Sequence, residues 1–106
     1  MQIQIHAPHI TVPAEFLGFI ERSVEDVLAH FAERLTRVEV HLRDMNGHKG
    51  GVDKRCTVEA RPRGLDPIAS EHESADVKEA LQGALEKLHR ALDHRLGRLE
   101  SRRRNE

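Results

Sequence analysis

The spacing of apolar residues switches between two periods along this chain, and the order of the switches constrains its fold more than any other feature. Apolar residues recur every three or four positions over residues 13–34, and again from Val77 to about residue 100. This spacing places them on one side of an α-helix, so both segments are predicted to be amphipathic helices. Pro13 suits the first turn of the first helix, and Asp76 with Glu79 forms a start similar to a capping box for the second.

Four other segments alternate apolar and polar residues, which is the period of a β-strand with one buried face. They lie at residues 2–6, 37–43, 54–61 and 68–73. Turns rich in glycine or proline separate the last three segments. The predicted order is therefore β-α-β-β-β-α in a single α+β domain, with two helices packed on one face of a four-stranded, mostly antiparallel sheet.

The third predicted strand indicates which side chains face the core. Cys56, Val58 and Ala60 alternate with polar residues, so we expect them to face inward. Cys56 would then fill the core as a small hydrophobic residue. A single cysteine cannot form an internal disulfide, which fits a reducing compartment. The arginines predicted to point outward into solvent, as neither catalytic residues nor metal ligands, are Arg34, Arg43, Arg55 and Arg61.

Motifs for catalysis and metal binding are weak. The chain has no glycine-rich phosphate loop, no nucleophile elbow and no helical His-Glu-x-x-His. Glu71 and Glu73 flank His72, but on a strand the imidazole would point away from both. A structural zinc site needs ligands at close spacing, whereas the eight histidines are scattered along the chain. We therefore predict no catalytic residue, no metal and no cofactor.

Composition disfavours several classes of partner. No apolar run approaches the ~20 residues that span a bilayer, and residues 1–6 lack the regions of a signal peptide. These features predict a cytoplasmic protein without a membrane partner. Three phenylalanines, with no tryptophan or tyrosine, argue against an aromatic platform that stacks single-stranded bases. The net charge of −1 means that any surface for nucleic acid must be local.

Charge is distributed unevenly between the two predicted helices. Residues 13–34 have five acidic and two basic side chains, a net charge of −3, whereas residues 87–104 have seven basic and two acidic ones, a net charge of +5. Three cations and one histidine share one side of the second helix, at spacings of three and four, and they are Lys87, Arg90, His94 and Arg98. Such a row can contact successive phosphates. The same cations also favour the helix macrodipole and keep a small domain soluble, so this pattern leaves both interpretations open.

Several short strings occur in order between residues 2 and 100. They are the opening Gln-Ile-Gln-Ile-His, the Val-Pro-Ala that precedes the first helix, and residues 28–35, 38–42, 68–72, 76, 80–81 and 87–92. The last of these, Lys-Leu-His-Arg-Ala-Leu, is similar to a Lys-Leu-x-Arg-x-Leu segment. Together the strings resemble the short ribosome hibernation factors, the family of hibernation-promoting factors and ribosome-associated inhibitors, also called sigma-factor modulation proteins.

This resemblance implies a domain over residues 1–100 that is similar in shape to double-stranded-RNA-binding domains. It also implies that the protein binds the rRNA of the small ribosomal subunit, in the channel for mRNA and tRNAs, and inhibits translation in starved or stationary cells without being an enzyme. The chain stops before the dimerisation domain of the long family form, so pairing of ribosomes would need a second hibernation factor. Residues 101–106 are predicted to be a basic disordered tail.

The resemblance also assigns candidate rRNA-binding residues. Lys87 and Arg90 lie at basic positions of the family's second helix. His94 stands where the family often has lysine, so its charge there depends on pH. Arg98 and Arg95 extend the same surface and rest on physical grounds alone. The last candidate is Arg22, on the outer face of the first helix, where the family usually has lysine or arginine. The alternative is a divergent domain of the same fold that binds another RNA or a protein partner.

Overall fold

The computed structural model describes the backbone of residues 1–45 and 52–104, and the side chains of these ranges up to residue 97. The elements follow the predicted order, with a 3₁₀ helix after the first α-helix. Their bounds are β1 Gln2–His6, α1 Ala14–Val27, the 3₁₀ helix Ala29–Arg34, β2 Leu35–Asp44, β3 Lys54–Pro62, β4 Ile68–Ser74 and α2 Val77–Arg104. The glycine-rich turn predicted at residues 46–51 lies outside the described residues.

The four strands form one mixed sheet in the order β1-β2-β3-β4. β1 and β2 are parallel, and the other two neighbouring pairs are antiparallel. Parallel neighbours need a connection that returns along the sheet, and α1 with the 3₁₀ helix provides it. The turn from β3 to β4 requires glycine at position 64, because Gly64 has a φ of 71°. The predicted α+β fold is confirmed.

The core lies between the two helices and one face of the sheet. The inward side chains of β2 and β3 are at most 1% exposed, and they are Val38, Val40, Leu42, Cys56, Val58 and Ala60. α1 adds Ile20 and Val24, and Leu28 follows directly after it. α2 adds a row of buried alanines and leucines from Ala80 to Leu96. These are the apolar positions that the two periods predicted, including the inward position of Cys56.

The opposite face of the sheet, called the open face below, presents the alternate residues of the strands. Its charged and imidazole side chains are His6, Arg37, Glu39, His41, Arg43, Arg55, Glu59, Arg61, Glu71 and Glu73. Arg55 and Arg61 are 35% and 40% exposed. Their outward position confirms the predicted register of β3, because a shift by one residue would have buried them.

The first helix is shorter than predicted. α1 ends at Val27, and the backbone tightens into the 3₁₀ helix, where the Phe31 N–H donates to the Leu28 carbonyl at 2.9 Å. A 3₁₀ helix has three residues per turn, so it still places Leu28 and Phe31 on the same buried side. The apolar spacing therefore continues through the change, which is why the sequence pattern predicted one helix over residues 13–34.

The second helix is longer than predicted. α2 continues to Arg104 rather than ending near residue 100. Residues 101–104 contain no glycine or proline, and arginine both forms helices well and is favoured by the macrodipole at a helix C-terminus. The 28 residues of α2 form a rod about 42 Å long. The side chains from residue 98 onward lie outside the described residues.

α2 approaches β4 closely at Gly83. A methyl group at this position would overlap the imidazole of His72, which β4 directs toward the helix. Glu71 and Glu73 lie on the other face of the strand, as the sequence predicted. Glycine is needed here because it allows the helix backbone to pass over the histidine ring.

Candidate nucleic-acid interface

One exposed side of α2 brings together most of the predicted rRNA-binding residues. Lys87, Arg90 and His94 are exposed, while Leu88 and Leu92 are buried against the sheet. Arg98 occupies the next position of the same row by helical spacing. From residue 87 to residue 98 the row extends about 16 Å along the helix. We call Lys87, Arg90, His94 and Arg98 the basic side of α2.

Two predicted site residues lie apart from this row. Arg95 is exposed on α2, but it is one residue after His94 and therefore about 100° further around the helix. Arg22 is exposed on α1, and its guanidinium lies back over Gly18 of the same helix. Within the described residues, no contact joins Arg22 to the basic side of α2.

Lys87 is partly held by the sheet. Its Nζ donates a hydrogen bond to the backbone carbonyl of Glu71 on β4, at 3.0 Å. β4 pairs only with β3, so this carbonyl lies on the free edge of the sheet. An ammonium group has three donors. One bond to Glu71 therefore fixes the direction of the Lys87 side chain and leaves two N–H donors for another acceptor.

The two arginines of α2 whose side chains are described, Arg90 and Arg95, have no acidic partner in the part of the chain that the structure describes. Arg90 and Arg95 form no ion pair there, although Glu86 and Asp93 are on the same helix. A guanidinium without a carboxylate keeps all its N–H donors available and projects its positive charge into solvent. The basic side of α2 is thus equipped to bind phosphate oxygens.

The exposed side of α1 has the opposite charge. Glu21, Glu25 and Asp26 are all exposed, with Arg22 as the cation among them. These carboxylates repel phosphate at short range. The two helices therefore present surfaces of opposite sign, as the net charges of the two segments predicted.

The open face of the sheet contains an ion-pair network that the sequence analysis missed. Glu39 accepts from Arg37 at 3.0 Å and lies 3.4 Å from Arg61. Arg61 also pairs with Glu59 at 2.8 Å, and Arg55 binds Glu73 through Nε at 2.8 Å. The prediction that Arg55 and Arg61 point outward is confirmed, but they are ion-paired rather than mostly solvated. Two of the four pairs join residues that are two apart on one strand. The pairs Arg61–Glu39 and Arg55–Glu73 cross between strands and depend on a register that alternation alone does not specify.

Two histidines that are far apart in the sequence also meet on the open face. His6 and His41 are neighbours across β1 and β2, and their rings stack at 4.6 Å with an interplanar angle of 11°. The sequence analysis treated the histidines as scattered, since the register of a parallel pair leaves no local signal.

Burial and charge shift the pKa values of two groups in opposite directions. Partial burial acts to raise the pKa of the Glu39 carboxyl, but the guanidinium groups of Arg37 and Arg61 outweigh it and hold that pKa below its usual value. Burial raises the pKa of the Cys56 thiol to about 12. Cys56 therefore stays protonated at neutral pH, which agrees with a packing role.

Comparison with known proteins identifies the family. Residues 3–100 match the sequence profile described as Sigma 54 modulation protein / S30EA ribosomal protein. The chain belongs to this family. Sigma 54 modulation/S30EA proteins are ribosome-associated factors of hibernation and translation inhibition and are not enzymes. The resemblance seen in the sequence is thereby confirmed.

Solved structures agree with this family assignment. A ribosomal subunit interface protein from Coxiella burnetii is 14% identical, with a TM-score of 0.77 over 92% of this chain and 99% of that one. The N-terminal domain of Thermus thermophilus Protein Y is 17% identical, with a TM-score of 0.70 over 89% of this chain and 98% of that one. At these identities the likeness shows a shared fold.

Two further findings are negative. No curated protein matches the chain in sequence. Within the described residues, neither helix has a stretch long and apolar enough to cross a bilayer.

Proposed function

We propose that this S30EA-family protein binds the rRNA of the small ribosomal subunit and inhibits translation by occupying the channel for mRNA and tRNAs. The observation that carries the proposal is the basic side of α2, where exposed cations meet no carboxylate among the described residues. Family membership makes the ribosome the partner. The resemblance of residues 28–42 and 87–92 to hibernation factors supports the small subunit and the channel.

The core of the domain supports this role by fixing the spacing of the cations. Leu88 and Leu92 are fully buried, so α2 cannot roll on the sheet without exposing them. Lys87 and Arg90 therefore project at fixed positions, with the remainder of the basic side of α2 further along the helix. Each phosphate that they neutralise would release counterions and add a salt-dependent contribution to affinity.

The acidic side of α1 gives the proposed complex an orientation. Glu21, Glu25 and Asp26 would be repelled by rRNA phosphates, so α1 would face away from the rRNA that α2 contacts. Contacts to phosphates position a protein without reading sequence. We therefore expect recognition of the shape and charge of the channel rather than of particular bases.

Inhibition by occupancy needs no chemistry. A folded domain with principal extents of 55 × 24 × 19 Å excludes mRNA and tRNA from the space that it fills. Residues 1–100 would form the binding domain, and Arg102, Arg103 and Arg104 would add positive charge at the end of α2. The site of action in this proposal is the cytoplasm, where translating ribosomes are found.

Sedimentation with purified ribosomal subunits tests the proposal. We expect the protein to pellet with the small subunit at low salt, to be released at high salt, and to be displaced by excess mRNA with initiator tRNA. Sedimentation with the large subunit is the control for binding. For inhibition, translation reactions run with and without the protein are compared. Pelleting with the large subunit alone, or binding unaffected by mRNA and tRNA, would contradict occupancy of the channel. Adding a second hibernation factor then shows whether ribosomes pair only in its presence.

The acidic side of α1 also favours a second candidate, which is a divergent domain that binds a basic protein partner. In that case neither subunit would pellet the protein at low salt. Charge reversal at Glu25 and Asp26 would then abolish binding to the partner, whereas charge reversal on α2 would not.

A further inference from the structure

The register of β1 and β2 brings three metal-ligating side chains together on the open face of the sheet. His6 is the partner of His41 in the parallel ladder, so their side chains project side by side. Glu39 precedes His41 by two residues and therefore lies on the same face of β2. Neutral imidazole nitrogens and an ionised carboxylate are a ligand set that suits Zn²⁺.

The distances among these three groups match those in a metal site. Oε1 of Glu39 is 3.5 Å from Nε2 of His6 and 3.5 Å from Nε2 of His41. All three ligand atoms lie within 4.8 Å of one another. Bonds of about 2.1 Å to a tetrahedral Zn²⁺ place neighbouring ligand atoms about 3.4 Å apart. Two of the three spacings are thus already suitable. The imidazoles of His6 and His41, which stack without the ion, must tilt out of that stack so that both nitrogen lone pairs point at it, and their exposure leaves room for this movement.

The surroundings hold the carboxylate in the ligating orientation. Oε2 of Glu39 is engaged by Arg37 at 3.0 Å and by Arg61 at 3.4 Å, which leaves Oε1 turned toward the histidines. Second partners of this kind orient a ligating carboxylate and are part of most protein metal sites. The lowered pKa of Glu39 means that no proton must leave the carboxylate before a cation binds.

The neighbouring charges also limit the expected affinity. Arg37 and Arg61 repel a cation, whereas Glu59, which pairs with Arg61 at 2.8 Å, offsets part of that repulsion. Gln4, on β1 beside Glu39, is uncharged. The site is also open to solvent, since His6 and His41 are 47% and 41% exposed. These features favour reversible binding over a permanently occupied structural site.

We propose that His6, Glu39 and His41 bind one Zn²⁺ ion on the open face of the sheet. Three protein ligands leave the fourth tetrahedral position to water. The core separates this face from the helices, so the metal site and the basic side of α2 share no residue.

Titration of the full chain with Zn²⁺, monitored by calorimetry, tests the proposal. A parallel titration with Co²⁺ as a spectroscopic substitute is monitored by visible absorption. We expect one ion per chain. His6→Gln and His41→Gln should each raise the dissociation constant at least about tenfold, and Glu39→Gln should do the same. His30→Gln is the matched control, because His30 is exposed but lies outside the cluster. It should leave the dissociation constant within a factor of about two.

Two further measurements exclude misfolding of a variant as the cause of weaker Zn²⁺ binding. Circular dichroism of the metal-free variants should match that of the parent chain, and Co²⁺ should broaden the NMR signals of His6 and His41 before those of other histidines. The proposal is wrong if the parent shows no binding heat up to millimolar Zn²⁺. It is equally wrong if His6→Gln and His41→Gln bind Zn²⁺ as tightly as the parent does.

Discussion

The basic side of α2 and the open face of the sheet both carry cations, but they differ in the partners of those cations. On the sheet, Arg37, Arg55 and Arg61 each contact a glutamate on the same or a neighbouring strand. On α2, Arg90 meets no carboxylate among the described residues. Strands about 4.8 Å apart bring side chains directly opposite one another, whereas a helix surface spreads them around a cylinder.

This difference determines which region can attract phosphate. A guanidinium paired with a carboxylate has almost no net charge, so its electrostatic field is weak. An unpaired guanidinium attracts phosphate up to about the Debye length, which is about 8 Å at physiological salt. Phosphate at the open face would have to displace a glutamate, whereas phosphate at α2 would displace only water and counterions. Both regions contain several cations, so the glutamates beside them rather than the number of cations distinguish the open face from the basic side of α2.

The largest expected effect comes from reversing charge on α2. Lys87→Glu with Arg90→Glu should weaken ribosome binding roughly 25- to 60-fold at 0.1 M salt, because each phosphate contact contributes a slope of about 0.7–0.9 to the dependence of log K on log salt. The slope itself should fall by about 2. Sedimentation over a range of salt concentrations measures both quantities, and the melting temperature should change little.

Arg43→Glu with Arg63→Glu is the matched control for this double variant. Both arginines are exposed and lie outside α2, and the change in net charge is the same. If the control variant lost as much affinity as the α2 variant, overall charge would explain the binding and the comparison between the two regions would fail.

The second largest expected effect is on the stability of the fold, at the side of α2 that packs against the sheet. Gly83→Ala should destabilise the fold by about 1–2 kcal/mol, since overlap with His72 outweighs the gain in helix propensity. Gly97→Ala has no neighbour to overlap, so it should be neutral or stabilise by up to about 1 kcal/mol. Urea unfolding of the two variants measures the difference. Equal stability would show that α2 does not pass as close to β4 as described.

A smaller effect is expected from adding a permanent cation to the basic side of α2. His94→Lys should strengthen ribosome binding about 5- to 8-fold at 0.1 M salt, the contribution of one phosphate contact. His30→Lys makes the same change of charge at an exposed histidine on the 3₁₀ helix and should have little effect. A similar gain from both variants would remove His94 from the proposed interface.

The smallest effect tests the open face. Glu39→Gln removes the anion that pairs with Arg37 and Arg61, so it should raise non-specific RNA binding a few-fold at most, with a salt slope steeper by less than about 1. The binding can be measured with a short RNA duplex by fluorescence anisotropy. Unchanged binding would indicate that pairing is not what excludes phosphate from the sheet.

Glu39→Gln also has a consequence for acid stability. The pKa of Glu39 is lowered in the folded chain, so its ion pairs stabilise the fold above the unfolded value near 4.5 and are lost as the pH falls through the folded value. The difference in melting temperature between the parent and this variant should therefore shrink below pH 4.5, which thermal scans at several pH values would show.

The parts of this structure that the sequence predicted are those set by local periodicity. Alternation placed Cys56 and Val58 in the core, and helical spacing placed Lys87 and Arg90 on one exposed side. The change to a 3₁₀ helix after Leu28 could not be seen, because buried residues three apart fit both kinds of helix. The contacts between His6, His41 and Glu39 depend on a strand register that lies beyond any local pattern.

The bond from Lys87 to the Glu71 carbonyl has a consequence for self-association. β4 is the outermost strand, and its unpaired backbone groups are a template on which the strand of another molecule could add. A lysine seated on that edge places a charge in the path of an incoming chain and occupies one of its acceptors. The residue proposed to bind phosphate on the ribosome would thus also oppose the pairing of a second chain with β4.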